Sequence, residues 1–362
     1  MTAVTRRLLD GGLLRVADRA PSSGGRPFLL LEIVGGAAHA LGVKIAADHL
    51  TVVRVDLDAT VLEQHDYAFD AAALDAVQRL GDLLAPLVDE EPAALLLGVG
   101  LGVPGVVGPD GRVESPMLGW RGLPAAELLE LRLGVPVLAD NDVNTLAVAE
   151  RLYGRGRDAA HFLTVTIGRG IGLGIVIDGN VYRGHGGGAG EFGHVTAVEG
   201  GQVCTCGKHG CLETVVSDPS LVARARDTGL LDPRQGIDAL RDLADQGRFE
   251  ALALYKEAGR ALGRAVADLV NVLAPEIVLL SGEGMLSWAH LSAAVEASFR
   301  SGLFPPLRDV QLEIDPWDDA KWARGAASLV LRPTFAPALH ESRPDQLVRA
   351  RLSAPTRSEV VA

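Results

Sequence analysis

The sequence predicts an α/β protein that consists of two similar lobes. Its 362 residues suffice for two domains, or for one large two-lobed fold with well-buried cores. Two blocks, which start near His39 and His161, share one pattern in which a β-hairpin precedes helical segments. Hydrophobic residues make up 48% of the chain and aromatic residues only 4%, so Leu, Val and Ala must form the cores.

The N-terminal region, residues 1–34, predicts the end of a helix followed by a hairpin. Residues 2–11 have amphipathic spacing and stop at Gly11-Gly12. Next, "LLRVADRAPSSGGRPFLLLEI" places two apolar runs around a Pro/Ser/Gly turn. Five arginines and three carboxylates give this region a charge of +2, whereas the remaining chain carries −14. The total of −12 argues against broad binding to nucleic acid or anionic membranes.

The remaining elements follow from the spacing of apolar residues and from Gly/Pro breaks. In chain order, the pattern predicts a hairpin over 39–64 with its turn near Ala46 to His49, a helix over 74–87, a buried strand over 92–107 that enters a Gly/Pro loop, a short strand, polar turn and helix over 135–154, and a glycine-turned hairpin over 161–184. Helical spacing then extends from 221 to about 272, followed by a strand over 277–280, a helix over 290–299, a strand over 310–314 and a closing helix over 321–331. The last two dozen residues lack a clear period and predict a flexible tail, 339–362.

The N-terminus and the apolar stretches favour a cytoplasmic protein without membrane contact. Arg6-Arg7-Leu8-Leu9 is followed at once by Asp10, which interrupts a secretory signal. The longest apolar stretch, Ala93 to Gly108, contains glycines and Pro104 and is shorter than the ~20 residues that a membrane helix needs.

All three cysteines lie in the segment "GEFGHVTAVEGGQVCTCGKHGCLE". An odd number cannot be consumed by internal disulfides, and the clustering favours a tetrahedral metal site. His194 can supply a fourth ligand across the Gly200-Gly201 turn, whereas His209 is held inside the cysteine knuckle. We therefore predict a closed, structural zinc site whose ligands are His194, Cys204, Cys206 and Cys211. The alternative is three buried free thiols beside an unrelated histidine.

Two pairs of polar residues are candidates for ligand binding. Glu191 and Glu213 flank the cysteine loop, which would fix them as acceptors for sugar hydroxyls; alternatively, they are solvated loop charges. Asn141-Asp142 follows a strand and precedes a helix, the position at which α/β folds place working residues. Asp142 could act as a general base for a hydroxyl, or this pair could simply cap the helix.

The runs "GRGIGLGIVIDGNVYRGHGGGAGEFGHV" and "CTCGKHGCLE" resemble the signature of the ROK family of repressors, open reading frames and sugar kinases. The motifs "GVPGVV", "LGW", "NDVN" and "RGAA" extend the resemblance over nearly the whole chain. It implies a two-lobed actin/hexokinase-like fold with ribonuclease H-like repeats, and a hexose-type sugar in the cleft between the lobes. It assigns zinc to the four residues above and sugar contacts to Asn141, Asp142, Glu191, His194 and Glu213. In members of the family that are kinases, the residue at Asp142 is the catalytic base.

A kinase of this family needs a phosphate turn similar to D-x-G-G-T-K in its first hairpin. Here the aligned residues are Lys44-Ile45-Ala46-Ala47-Asp48-His49. Lys44 replaces the metal-proximal carboxylate of the family's phosphate turn, and alanines replace both of its glycines. Asp48 would repel a nucleotide phosphate by on the order of 4 kcal/mol at ~4 Å. In the second lobe Gly168-Arg169-Gly170 replaces G-T-G, and that change alone is ambiguous. The first hairpin therefore argues against ATP-dependent phosphorylation.

The N-terminal region resembles the last part of a recognition helix and the wing of the winged-helix domain found in the family's repressors. Candidate DNA contacts are Arg6, Arg7, Arg19 and Arg26, of which the last two flank the wing tip. About three helices make up such a domain, so we expect operator binding only if the winged helix is completed. The alternative for these arginines is a solvated hairpin edge.

Our interpretation is a sugar-sensing transcriptional regulator, a homodimer or homotetramer as the family's regulators are at least dimeric. The predicted domains are a winged-helix remnant (1–34), a first lobe (35–145, completed by 318–338), a second lobe with the zinc loop (146–317) and the tail (339–362). Two alternatives remain open. One is a glucokinase-like sugar kinase with a degenerate phosphate loop, and the other is a sugar-binding protein that has lost both outputs.

Overall fold

The computed structural model describes residues 3–20, 28–89 and 95–335. Two units divide the chain: the first is Met1–Ala149 with Asp319–Ala362, and the second is Glu150–Asp318. Arg26 and the predicted tail 339–362 lie outside the described residues.

Helices and strands are interspersed along the described chain, as expected for an α/β protein. Residues 3–153 contain α1 (Ala3–Asp10), β1 (Leu14–Ala20), β2 (Phe28–Ile33), β3 (Ala38–Ile45), β4 (His49–Asp56), β5 (Val61–Ala68), α2 (Ala76–Asp89), β6 (Leu95–Val103), β7 (Val106–Val107), β8 (Val113–Ser115), β9 (Trp120–Leu123), α3 (Ala125–Leu133), β10 (Val137–Asn141) and α4 (Asp142–Tyr153). Residues 162–335 contain β11 (Phe162–Ile167), β12 (Ile171–Ile177), β13 (Asn180–Val181), α5 (Glu213–Val216), α6 (Asp218–Asp227), α7 (Ile237–Asp245), α8 (Phe249–Leu273), β14 (Ile277–Ser281), α9 (Trp288–Gly302), β15 (Gln311–Ile314) and α10 (Asp319–Phe335).

The first unit is organised around a five-stranded sheet of order β10-β6-β3-β4-β5. β3, β4 and β5 form an antiparallel meander, and β6 and β10 add in parallel on the other side of β3. Every residue of β3 is buried, whereas β5 is an exposed edge strand. The sequence pattern had not separated β5 from β4, because polar residues dominate both of its faces.

Helix α10 covers this sheet at very close range. A Cβ built at Gly42 of β3 would lie 1.9 Å from the carbonyl oxygen of Ala323, and one at Gly100 of β6 would lie 1.8 Å from that of Ala326. Both contacts are with helix backbone, which cannot swing away as a side chain can. The two glycines therefore let helix backbone rest directly on strand backbone.

The second unit repeats the topology of the first. Its sheet has the order β13-β12-β11-β14-β15, in which β11–β12 and β12–β13 are antiparallel while β11–β14 and β14–β15 are parallel. Strand for strand, β11 corresponds to β3 and β14 to β6. The predicted pair of similar α/β lobes is confirmed. The core of this unit gathers aliphatic side chains of the sheet and of α8 around the fully buried Tyr255 and Phe299.

At the N-terminus, the predicted helix end and hairpin are both present as α1 and as the antiparallel pair β1–β2. Arg15 of β1 and Glu32 of β2 are opposite each other and form an ion pair of 2.8 Å. That pairing lowers the pKa of the Glu32 carboxyl, first through the hydrogen bond from Arg15 and then through its charge. The hairpin is therefore closed by its own charged pair.

Two local expectations need correction or addition. The polar turn predicted before the helix of residues 135–154 is wrong, since β10 ends at Asn141 and α4 begins at Asp142. Helix α3 and the small antiparallel sheet β7-β8-β9 were not anticipated, because each strand of that sheet has four residues or fewer. Among the described residues, the helices are all too short or too polar to cross a bilayer.

Candidate metal centre and ligand site

A loop of the second unit brings together one histidine and the three cysteines. The ligand atoms of His194, Cys204, Cys206 and Cys211 all lie within 4.8 Å of one another. The Cys206 and Cys211 Sγ atoms are 3.7 Å apart, and Cys204 Sγ is 3.6 Å from His194 Nδ1. Three sulfurs and an imidazole nitrogen at this spacing form the donor set of a tetrahedral metal site.

Glycines give the loop its sharp turns. Gly207 and Gly210 have φ values of +86° and +71°, which side chains with a Cβ rarely adopt. A Cβ at Gly210 would also lie 1.6 Å from the carbonyl oxygen of Val198. His209, between them, is turned away from the cluster, with Nδ1 3.2 Å from the carbonyl oxygen of Gly201.

His194 has one ring nitrogen on each side of the candidate site. Nδ1 faces the cysteines, and Nε2 is 3.8 Å from Glu191 Oε2. In metal proteins, a carboxylate on the second nitrogen fixes the tautomer and the orientation of a ligating histidine. Glu191 is thus placed to orient a ligand, with half of its side chain exposed.

The three thiols have different environments. Cys204 and Cys211 are buried, while Cys206 is exposed. Burial raises the pKa of the Cys211 thiol to about 12. By contrast, a hydrogen bond from the backbone N–H of Lys208 lowers the pKa of Cys206. Because metals bind thiolates, occupation of the site must displace a proton from Cys211 in particular.

Glu213 begins α5 directly after the cysteine loop. Its Oε2 accepts a hydrogen bond of 3.3 Å from the backbone N–H of Ile171. The same atom would lie 3.1 Å from a Cβ at Gly170 and 3.2 Å from one at Gly193. The carboxylate therefore lies between the β11–β12 turn and the Gly-Glu-x-Gly-His segment, in space that is available because Gly170 and Gly193 have no side chain.

Asn141 and Asp142 lie in the first unit, where β10 meets α4. Asn141 Oδ1 accepts the N–H groups of Val143 and Asn144 at 2.9 and 3.1 Å, and its Nδ2 donates to the carbonyl oxygen of Gly105 at 2.9 Å. Asp142 Oδ1 also accepts from Val143. Of the two roles left open for this pair, helix capping is visible for Asn141. Its place as a sugar contact stays a prediction.

In the first unit, the turn aligned with the kinase phosphate loop is filled by charged side chains. Lys44 is buried, pairs with the carboxylate of Asp319 at the start of α10, and lies 4.8 Å above the ring centroid of Trp322. His49 Nδ1 is 2.8 Å from Asp48 Oδ1, and its Nε2 is 3.5 Å from Asp319 Oδ2. Lys44 is thus held to α10 by an ion pair, and His49 lies beside the same carboxylate. Sequence patterns could not reveal Asp319 as the partner, because it lies 275 residues from Lys44.

The corresponding turn of the second unit, Gly168–Gly170, is bordered by carboxylates. A Cβ at Gly168 would be 3.3 Å from the Glu283 Cβ, and the carbonyl of Gly168 accepts the N–H of Asp218 at 2.9 Å. Burial, followed by the charge of Glu283, raises the pKa of Asp218 to about 6. Neither acidic residue was singled out from the sequence, since each follows an ordinary turn signal.

The predicted DNA contacts are only partly described. Arg6 and Arg7 are exposed on α1. Arg19 belongs to β1, and Arg26 lies outside the described residues.

Comparison with known proteins gives one family for most of this chain. The model of the ROK family matches residues 40–332. The Escherichia coli (strain K12) DNA-binding transcriptional dual regulator NagC is 28% identical over 348 residues, which cover 92% of this chain and 85% of NagC.

Two solved structures show the fold. A ROK family transcriptional regulator, a homolog of the E. coli MLC protein, has a TM-score of 0.80 at 24% identity, covering 96% of this chain and 89% of its own. A ROK family glucokinase from Streptomyces griseus, in complex with glucose and AMPPNP, has a TM-score of 0.70 at 27% identity, covering 81% of this chain and 99% of its own. The actin/hexokinase-like fold is therefore confirmed.

Proposed function

Because the chain belongs to the ROK family, we propose that it is a sugar-responsive transcriptional regulator that does not phosphorylate its sugar. The observation that carries this choice is the buried pair of Lys44 and Asp319 at the phosphate turn. Similarity to NagC, a DNA-binding regulator, over 92% of the chain supports the same choice.

The charges at this turn oppose the binding of a nucleotide. Lys44 is neutralised by Asp319, so its ammonium is not available to a phosphate in the way a phosphate-loop lysine is. Breaking a buried ion pair by removing one partner typically costs about 3–5 kcal/mol, and phosphate binding would have to offset that cost. Asp48, more than half exposed beside His49, adds a further negative charge.

The proposed effector is a hexose or a derivative of one. In the second unit, Glu191 and Glu213 would accept hydrogen bonds from its hydroxyl groups, and His194 would contact it through Nε2, since Nδ1 faces the cysteines. In the first, the proposed contacts are Asn141 and Asp142. Zinc on His194 and the three cysteines would hold the loop that carries Glu191 and Glu213, and it would supply structural constraint without catalysis.

The proposed output is DNA binding by a protein that is at least dimeric. We assign α1 and the β1–β2 hairpin to a winged helix, in which a recognition helix reads the major groove and a wing adds backbone contacts. Arg6, Arg7, Arg19 and Arg26 would neutralise a few phosphates, an interaction that fades quickly with salt.

Calorimetry with a panel of hexoses, amino sugars and pentoses tests the sugar site. We expect one class of sugar to bind, and Glu191→Ala to weaken its binding about tenfold or more, since hydrogen bonds to charged groups are worth about 1.5–3 kcal/mol. Thr205→Ala is a matched control in the same loop. Absence of heat and of any thermal shift with every sugar would contradict the proposal.

The second candidate, a sugar kinase, is favoured by the similarity to the S. griseus glucokinase and by the retained Asp142. A coupled assay for ADP release separates the two functions. We expect no sugar-dependent turnover of ATP. Turnover that disappears in Asp142→Asn would decide for the kinase.

A further inference from the structure

The exposure of the three cysteines is uneven. Cys206 is exposed, whereas Cys204 and Cys211 are 4% and 0% exposed. The exposed sulfur lies 3.7 Å from Cys211 Sγ, close to van der Waals contact. We propose that Cys206 and Cys211 are an oxidation site, in which a peroxide converts the pair into a disulfide and thereby removes two of the four metal ligands.

The geometry selects this pair among the three cysteines. A disulfide needs a sulfur–sulfur distance of about 2.05 Å, so a rotation of the exposed Cys206 side chain has to close a short gap. Cys204 Sγ instead contacts His194 Nδ1 at 3.6 Å, and its backbone N–H donates to the carbonyl oxygen of Lys208 at 2.7 Å. Cys204 is therefore held by the loop, while Cys206 is open to a small oxidant from solvent.

The chemistry balances with one equivalent of hydrogen peroxide. The Cys206 thiolate attacks one peroxide oxygen; the O–O bond breaks, and one water leaves after protonation, which gives a sulfenic acid. The Cys211 thiolate then attacks that sulfur; the S–S bond forms, the S–O bond breaks, and a second water leaves after protonation. Two electrons pass from the two sulfurs to peroxide.

The consequence for the loop follows from the ligand count. After oxidation only His194 and Cys204 remain, and two ligands do not hold a structural metal. Cys211 also accepts, through its carbonyl oxygen, hydrogen bonds from the N–H and the hydroxyl of Thr214 at 3.0 and 2.7 Å. A change at Cys211 is thus transmitted to α5, which carries Glu213. Loss of sugar affinity on oxidation rests on the proposed function, whereas the disulfide and the metal release do not.

The test uses the full chain loaded with zinc. One equivalent of hydrogen peroxide is added, zinc release is followed with a chromophoric chelator, free thiols are counted, and the disulfide is mapped by mass spectrometry of peptides. We expect about one zinc released per chain, the loss of two thiols and a Cys206–Cys211 linkage. A dithiol followed by zinc should reverse all three changes.

Thr205→Ala serves as a matched control, because Thr205 lies between two ligands and contacts Cys204 Sγ at 3.9 Å without being a candidate ligand itself. It should oxidise as the unaltered chain does. In Cys206→Ser, peroxide should leave Cys204 and Cys211 reduced; if that variant does not fold, the peptide map of the unaltered chain decides alone.

Three results overturn the inference: a disulfide that includes Cys204, a disulfide between two chains, or retention of zinc after both thiols are lost. Sugar calorimetry on the reduced and oxidised forms separates this inference from the proposed function. If the disulfide forms and zinc leaves while neither form binds any sugar, the oxidation site stands and the sugar-binding proposal fails.

Discussion

The β3–β4 turn of the first unit and the β11–β12 turn of the second occupy the same place in two sheets of the same topology, yet their contents are opposite. The first is filled by Lys44 and His49, which lie against Asp319 of α10, and by Asp48, which pairs with His49. In the second, Gly168 and Gly170 leave room for the carboxyl groups of Glu283 and Glu213 to approach the backbone. The same turn can thus be filled by charged side chains of its own strands, or flanked by glycines so that carboxyl groups of neighbouring segments reach its backbone.

The largest effect is expected where α10 rests on the first sheet. Gly100→Val places a branched side chain where even a Cβ would be 1.8 Å from the Ala326 carbonyl oxygen, so helix and sheet must separate. We expect a loss of more than about 5 kcal/mol, the range of severe core substitutions. Denaturant unfolding measures it. Gly36→Ala is the matched control, because nothing lies within 4 Å of its Cβ position, and an equal loss there would refute the packing argument.

Removal of the Asp319 carboxylate tests the ion pair at the β3–β4 turn. In Asp319→Ala, the buried Lys44 ammonium loses its carboxylate, and we expect a destabilisation of about 3 kcal/mol. Asp48→Ala, at a more exposed site, should cost less than about 1 kcal/mol. The double variant Lys44→Met/Asp319→Leu should recover most of the stability, since an apolar pair avoids desolvation of both charges. Equal losses in the single and double variants would show that the pair is not what holds the turn.

The β11–β12 turn of the second unit provides a test of pH dependence, through the nearby Asp218. The pKa of Asp218 is raised to about 6 by burial, so its ionisation is less favourable in the folded chain than in the unfolded chain. The stability that this group contributes is complete at low pH and is lost as pH rises through 6. Asp218→Asn should therefore be more stable than the unaltered chain at pH 8 by about 2 kcal/mol, after the loss of a favourable charge at the start of α6 is deducted.

The same difference should vanish below about pH 3, where Asp218 is protonated in both states. Thermal unfolding at a series of pH values measures it. Asp227→Asn, at the other end of α6, is a control for the loss of a surface charge. A difference between Asp218→Asn and the unaltered chain that does not depend on pH would contradict the assignment.

The smallest expected effect concerns the metal loop. Glu191→Gln keeps the size of the side chain but removes the charge that faces His194 Nε2 at 3.8 Å. Metal affinity should fall about tenfold, the low end for such carboxylates, because Glu191 is half exposed. Competition with a chelator of known zinc affinity measures the change. Glu199→Gln, in the same loop and outside the cluster of candidate ligands, should leave the affinity unchanged.

The sequence predicted those features whose signal is local. The spacing of apolar residues predicts buried strands such as β3 and β6, the glycine-turned hairpins and the long helix α8. The metal loop was predictable for a different reason: its four candidate ligands lie within eighteen consecutive residues, and their chemistry is specific.

Other features depend on partners that are far apart in sequence. Lys44 alone suggested only a damaged phosphate turn; its pairing with Asp319 required the fold. Likewise, Asp218 and Glu283 approach the same turn from α6 and from the segment after β14. The start of α4 was misplaced because Asn141 both ends a strand and caps a helix, so the polar residues that looked like a turn form the junction itself.

The division of the chain also sets the order in which the units can be completed during translation. The second unit is continuous, Glu150–Asp318, whereas the first begins the chain and is closed by α10 from its far end. The ribosome therefore synthesises the whole second unit before it adds the helix that covers Gly42 and Gly100. Until then the apolar face of the first sheet has no cover, and nascent chains at this stage are natural clients for chaperones.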